Sequence, residues 1–463
     1  MSGYRVSKYN IYLEMKRDQN KKLMIQGIRG AFDIVDHSIA EILEKGEADS
    51  SVLDAISIED KEVLANRGYI TTLTDEEEYK VIERISHTLN ASSRKNLCIT
   101  IMPTYNCNFR CEYCFEQNLL AKGKEFLNKK ISVETVDAIF VQLAKYKAEG
   151  YKIGSVYLFG GEPLLKSSKD IVTYICEKCR EMNIPISCIS NGYFLDEYVD
   201  LINEYKFQKV QITIDGIGEE HDKRRFLVGG QGTYDRIKAN ISLALEKGNN
   251  ISLRTNVNRK NTDSVKALIE EYQKEGWIGK PNFHYYFKTN IRCYEQEDEN
   301  ALSDVELMQQ LGEYVGQGTD RFNLNSIYSG LAEGIRYMLQ NNSYAPLRSG
   351  FCGANTGMYT IDPFGDIYPC WDVLSEADSR IGTVDVQQGE FVLTDVHSTW
   401  KDRTVDRISD CSKCRYMLFC GGGCSAQAKV MHNDMNQVYC DDFTALFDEV
   451  AVDLCEEYSA VPS

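Results

Sequence analysis

A chain of 463 residues, 43% hydrophobic and 26% charged, has room for about three domains of ~150 residues and enough apolar surface for a sizeable core. A formal net charge of −17 repels phosphate backbones and excludes nucleic acid as a main partner. No apolar run reaches the ~18 residues of a membrane span, and the N-terminus lacks a signal peptide's apolar stretch, so a cytoplasmic protein is expected. There, sixteen cysteines bind metal or do redox chemistry more often than they form disulfides.

Residues 1–94 read as a small separate module. "KYNIYLEM" and "KLMIQGIRGAFDIV" look like two extended segments joined by the polar "KRDQNK". "DHSIAEILEKG" predicts a short helix, with Asp36 as N-cap and Gly46 as its stop. "SIEDKEVLANRG" repeats the pattern with Ser57, Asp60 and Gly68. "YITT" is a short strand, and "TDEEEYKVIERISHTLN" a charged connecting helix. Two strands plus helices suit a winged-helix-like recognition module.

From residue 95 to 300 the rhythm changes. The runs "LCITIMP", "SVYLFGG", "IPISCISN", "VQITIDG", "ISLRTNVN" and "NFHYYF" alternate with amphipathic helical stretches. About six βα units define an α/β fold with a parallel sheet or barrel, whose active site is expected at the carboxyl ends of the strands. Residues 301–348 read as a helical linker. Residues 349–463 are rich in cysteine and glycine without clear periodicity, which suggests a compact domain held by metal rather than by a self-sufficient core.

Directly after the first expected strand, Cys107, Cys111 and Cys114 stand at spacing C-x3-C-x2-C. A structural zinc site takes four protein ligands. A [4Fe–4S] cube has four iron corners, so three thiolates leave one iron open to a substrate. Asn106 and Asn108 suit a tight loop, and Phe109 and Phe115 can shield a cluster from water.

"CNFRCEYCFE" resembles the motif of radical S-adenosylmethionine (SAM) enzymes. The resemblance implies a partial (β/α)6 barrel in which SAM chelates the fourth iron and is cleaved to a radical that abstracts hydrogen. It also implies SAM contacts from "FGGEPLL" (Gly160, Gly161, Glu162, Pro163), from "SNGY" (Ser190, Asn191, Gly192) and from "TIDG" (Thr213, Asp215, Gly216). "HDKRR", residues 221–225, is similar to the family as well, but its basic residues read as a solvated charge run.

The tail carries Cys352, Cys370, Cys411, Cys414, Cys420, Cys424 and Cys440 and resembles the seven-cysteine SPASM domain. That implies two auxiliary [4Fe–4S] clusters, three clusters in all. Cys411, Cys414, Cys420 and Cys440 would hold the outer one, and Cys352, Cys370 and Cys424 the inner one; two zinc sites are the alternative. No cysteine stands just upstream to complete the inner set, so its iron is expected to be open unless Cys455 or Cys293 closes it. Cys176 and Cys179 read as structural, and Cys98 and Cys188 as core.

The resemblance implies a leader-dependent maturase that forms Cys-to-carbon thioethers in a ribosomally made precursor peptide, with flavodoxin or ferredoxin as electron donor. The alternatives are carbon–carbon cross-linking and sulfatase maturation, in whose enzymes a carboxylate directly follows the "G-x4-C" cysteine. Here Trp371 follows Cys370, and Asp372, the candidate base, comes one residue later. A non-catalytic iron–sulfur carrier is the reading from another class.

Overall fold

The computed structural model describes residues 3–289, 300–315, 319–324, 326–374 and 376–460. Two compact units emerge: Ser93–Ser303 with Gly353–Asp402, and Met1–Ser92 with Asp304–Cys352 and Arg403–Ser463.

In the first unit all six expected strands form: Asn96–Ile101, Lys152–Leu158, Ile186–Ser190, Lys209–Thr213, Ile251–Val257 and Phe283–Thr289. They are hydrogen-bonded in chain order and every pair is parallel. Side chains alternate between faces. One face is apolar and buried, with Ile99, Ile101, Val156, Leu158, Val210, Ile212 and Leu253. The other carries Cys98, Thr100, Tyr157, Gln211, Arg254 and Tyr286 in register across the strands. The connecting helices start where the sequence signals them. Ser132, for example, accepts a hydrogen bond from Thr135 N at 3.1 Å and caps Val133–Ala148.

The tail was expected to be one domain from residue 349, but its first part belongs to this sheet. Met358–Ile361 pairs in parallel with the first strand, and Asp366–Tyr368, Gly382–Asp385 and Glu390–Leu393 follow antiparallel. Gly357 allows that junction, since a Cβ there would lie 2.0 Å from Asn96 O.

In the second unit the two expected extended segments are three strands, Asn10–Glu14, Lys21–Gln26 and Ala31–Asp36, in one antiparallel sheet. A turn divides the second segment. Gln26 Oε1 accepts from Ile28 N and Arg29 N at 2.8 and 2.7 Å, and Gly30 takes a φ of 71°. The helix His37–Gly46 forms, but its expected signals act differently. Asp36 makes no capping bond and pairs with Lys21 at 2.7 Å. Gly46 lies inside the helix, where a Cβ would sit 2.7 Å from Val6 Cγ2. Ser57 and Gly68 cap the next helix as expected.

The N-terminal module does not stand alone. Its charged helix, Asp75–Ser93, packs Tyr79, Ile82 and Ile85 against Val405, Ile408, Met417 and Leu418 of the tail. The C-terminal helix Phe443–Ser459 buries Phe447, Val450 and Leu454 with Ile11, Leu23 and Ile25 of the N-terminal sheet. Asp304–Val315 and Ser326–Asn341, expected as linker helices, are members of the same core. The tail therefore shares an apolar core with the N-terminal module and does not depend on its cysteines alone. Phe447 centres it, with ring centroids 4.6 Å from Phe419, 5.5 Å from Tyr416 and 6.1 Å from Phe32.

Phe447→Ala should cost about 3–5 kcal/mol. It should also loosen the N-terminal sheet through Phe32, read as a lowered denaturant midpoint together with faster proteolysis within residues 10–36.

Candidate active site

The cysteine loop leaves the end of the first strand and is braced on several sides. Thr104 anchors its start, accepting from Asn106 N (3.1 Å) and donating to Leu127 O (3.0 Å). Phe109–Cys111 then forms a short strand antiparallel to Arg225–Leu227, with Arg225 opposite Cys111.

The second brace is the loop after the second strand. Gly161 N donates to Thr104 O at 3.2 Å, and Glu162 N to Asn106 O at 2.9 Å. A Cβ on Gly161 would lie 2.3 Å from Tyr105 O and 2.4 Å from Asn106 O. The glycine was expected to admit a ligand; in the structure it also admits the cysteine loop itself. Pro163 is buried in the same turn.

Glu162 is 1% exposed and ties this loop to the end of the third strand. Its Oε1 accepts from Leu164 N and Ser190 Oγ, both at 2.8 Å, and its Oε2 from Asn191 N at 2.7 Å. Burial pushes the carboxyl pKa up, and those three donors pull it back. A carboxylate offers about four lone-pair sites, so one is left for a ligand donor. Asn191 reaches the cysteine loop directly, with Nδ2 2.9 Å from Asn108 Oδ1 and 3.9 Å from Cys107 Sγ.

Asp215 is enclosed rather than open. Fully buried, it accepts from Asn256 N at 2.8 Å and from the Tyr113 hydroxyl. Its own amide donates to His221 Nδ1 at 3.2 Å. Asp215, expected among the SAM contacts, braces the cysteine loop through these bonds. Tyr113, between two of the cysteines, also accepts from Arg225 Nη1 (2.7 Å) and Asn256 Nδ2 (3.0 Å). Thr213 is buried at the end of the fourth strand, paired with Arg254.

The reading of "HDKRR" as a solvated run is also corrected. His221, Arg224 and Arg225 are buried, and only Lys223 is exposed. The missed signal was "RFL", a short strand pattern directly after the helix Glu219–Arg224, which sets Arg225 opposite Cys111.

Burial pushes up all three thiols. Cys114 reaches about 12, with Glu116 adding to the effect. Cys111 is drawn back by the Arg225 charge. Such thiols are poor free thiolates, and a bound cationic cluster supplies the positive charge that deprotonates them. The donor set therefore fits a cluster. None of the described cysteines is in a disulfide. No three His, Cys, Asp or Glu side chains among the described residues already converge as a single-ion shell, so the fit rests on the shared loop and its electrostatics.

Aromatic rings line the approach. Phe115 stacks on Phe159 at 5.3 Å, and Phe159 meets Trp371 edge-on at 5.5 Å. Beside Trp371, Asp372 N donates to Cys370 Sγ at 3.5 Å, and that thiol faces Asp372 Oδ2 at 3.6 Å. The candidate base thus sits beside a cysteine and one ring contact from the Gly160 loop.

In the other unit, burial pushes the Cys411 thiol up to about 12 and Cys420 up to about 11, and the neighbouring Cys414 and Cys440 add to both; Cys440 is raised by burial and then by Cys414. Gly421, Gly422 and Gly423 all have positive φ. A Cβ on Gly423 would lie 1.6 Å from Tyr439 O, so this run is what admits the Cys440 segment. Cys352 and Cys424 flank the buried Arg403, which donates to Gly422 O and Gly423 O at 3.0 Å. Cys370 belongs to the sheet unit. Cys455 is buried in the helical core and so is not open to a cluster; Cys293 lies outside the described residues. Cys176, Cys179 and Cys188 are buried as read, whereas Cys98 is half-buried on the polar face, 3.8 Å from Ser155 Oγ.

Residues 101–272 match the model of the radical SAM superfamily. A cysteine-type anaerobic sulfatase-maturating enzyme of Clostridium novyi (strain NT) is 24% identical over 77% of this chain and 95% of its own. The antilisterial bacteriocin subtilosin biosynthesis protein AlbA of Bacillus subtilis (strain 168) is 22% identical over 73% of this chain and 70% of its own. The structure of Streptococcus suis SuiB bound to precursor peptide SuiA shares the fold, with a TM-score of 0.51 at 16% identity over 94% of this chain and 98% of that one. This chain is an enzyme built around a radical SAM domain. Enzymes of that superfamily use a [4Fe–4S] cluster and SAM.

Burial lowers the His221 pKa from 6.5 to about 4, and the nearby Arg225 charge adds to this. The unfolded chain binds that proton near pH 6.5 and the folded chain only near pH 4. Stability should therefore fall on acidification across that window, by about 3 kcal/mol in all. Denaturant midpoints taken against pH should steepen there in the wild type and flatten in His221→Gln.

Proposed function

We propose that this chain is a leader-dependent maturase that forms Cys-to-carbon thioether cross-links in a ribosomally made precursor peptide. The observation that carries the reading is the braced three-thiol loop, Cys107, Cys111 and Cys114, at the strand ends of a radical SAM domain. The match to a bacteriocin biosynthesis protein over 73% of this chain adds the peptide. When bound, the first cluster and SAM supply hydrogen abstraction from an unactivated C–H bond.

The chain's own residues do the rest. Gly160, Gly161, Glu162 and Pro163 form a turn whose one open carboxylate site suits the SAM ammonium. Ser190 and Asn191 hold that turn against the cysteine loop, and Thr213 closes the floor beside them. Phe115, Phe159 and Trp371 keep water from the site. Asp372 is placed to accept a proton from a peptide group beside Cys370.

Cys411, Cys414, Cys420 and Cys440 are the ligands of an outer auxiliary cluster, whose grouping their mutual electrostatics supports. Cys352, Cys370 and Cys424 are assigned to an inner cluster with one open iron, a seat for a substrate thiolate. The three-stranded sheet of residues 10–36 has two edge strands, one of which suits the leader by strand addition. The protein is cytoplasmic in this reading, and reduced flavodoxin or ferredoxin donates the electrons. Sulfatase maturation is the second reading, favoured by the Clostridium relative and disfavoured by Trp371 at the position after Cys370.

Deleting residues 1–94 would break the core shared with the tail, so the test is made on the full chain. A cysteine-containing peptide encoded beside it is incubated anaerobically with SAM and reductant. Loss of two hydrogens per modified cysteine, with that thiol no longer alkylatable, is expected. The same loss with every thiol free would replace thioether formation by carbon–carbon coupling or serine oxidation.

A further inference from the structure

The polar face of the parallel sheet holds charge of one sign. None of the six strands carries Asp or Glu, although the chain's net charge is −17. Toward the carboxyl ends of the fifth and sixth strands this face presents Arg254, paired with Tyr286, and Lys288, paired with Asn256. Arg254 is half-buried. Its Nε donates to Asn256 Oδ1 at 2.8 Å, and its two terminal nitrogens have no hydrogen bond or ion pair among the described residues.

The cation sits close to the chemistry. Asn256 Nδ2 donates to the Tyr113 hydroxyl at 3.0 Å, and Tyr113 lies between Cys111 and Cys114. Two hydrogen bonds thus link Arg254 to the cysteine loop. Around it stand hydroxyls and an amide, with Tyr286 donating to Gln211 Oε1 at 2.8 Å and Tyr157 on the same face.

A guanidinium fixed at Nε and open at both other nitrogens presents the planar fork that matches a carboxylate. Holding it half-desolvated without a protein anion is costly unless a ligand supplies one. The acidic field of the whole chain opposes an acidic ligand at long range, so a fixed local cation such as Arg254 is what would allow one at this point. We propose that Arg254, with Lys288 beside it, binds the carboxylate of an Asp or Glu side chain in the peptide segment lying over the sheet, and so selects acidic residues near the modified position. The inference rests on the peptide-maturase reading above. The SAM carboxylate is the other source of the same chemistry.

The test uses the reconstituted full chain with SAM and no reductant. Two fluorescein-labelled, amide-capped heptapeptides, GSGDGSG and GSGNGSG, are compared by anisotropy. The aspartate peptide should bind at least about tenfold tighter, the scale of one charge-assisted hydrogen-bonded pair. Arg254→Gln should reduce that ratio to about one with SAM affinity and thermal unfolding unchanged, and Arg254→Lys should keep part of it. Equal binding of the two peptides, no binding of the aspartate peptide at millimolar concentration, or a preference that survives in Arg254→Gln would overturn the proposal. Loss of SAM affinity in Arg254→Gln would also overturn it, assigning the fork to SAM. If the precursor's mass is unchanged yet the aspartate preference stands, the proposed reaction falls and the carboxylate site survives. A mass change without the preference removes this inference alone.

Discussion

Two buried carboxylates hold the cysteine loop to the sheet. Glu162 joins the turn after the second strand to the end of the third, and Asp215 joins the end of the fourth strand to the fifth and, through Tyr113, to the loop itself. Each is enclosed, so each interaction is stronger than its solvent-exposed equivalent and each missing partner would be costly. The thiols sit in this frame without charge of their own. Arg225, opposite Cys111, is the fixed cation that offsets the surrounding acids. The rigidity of the loop comes from these supporting contacts rather than from the thiols themselves.

The sheet was legible because its signals are local. Each strand is a short apolar run, five of the six ending in Gly, Pro or Asn, and the cysteine spacing sits directly after the first. What was not legible depends on distant partners. Nothing near "MYTI" says that it pairs with residues 98–101. Nothing in the charged pattern of the helix Asp75–Ser93 says that its apolar stripe meets residues beyond 400. Gly46 and Asp36 carried the right composition for a helix end but serve packing and an ion pair. At the site, residue types pointed to the correct strand ends while the facing of each side chain was not encoded locally. The arginines of "HDKRR" were misjudged for that reason: a polar side chain near a strand end is equally compatible with an open and an enclosed position.

The cysteine-rich tail illustrates the same limit. The resemblance assigns Cys411, Cys414, Cys420 and Cys440 to one set, and in the structure the other three add to the burial that raises Cys411. The spacing did not reveal that the glycine run 421–423 is the hinge of that grouping, nor that the tail is divided. Residues 353–402 extend the sheet, while residues from 403 onward complete a core begun by residues 1–92. The recognition-like module and the second cysteine set therefore rise and fall together in stability.

That division also has a consequence for synthesis. Residues 10–36 leave the ribosome well before the helix that seals their core, Phe443–Ser459. The sheet unit, whose six parallel strands are contiguous in the chain, can close while its neighbour is still waiting. During that interval Leu23, Ile25 and Phe32 have no permanent cover. Residues 10–36 are thus a natural client for holding chaperones until their distant partner arrives.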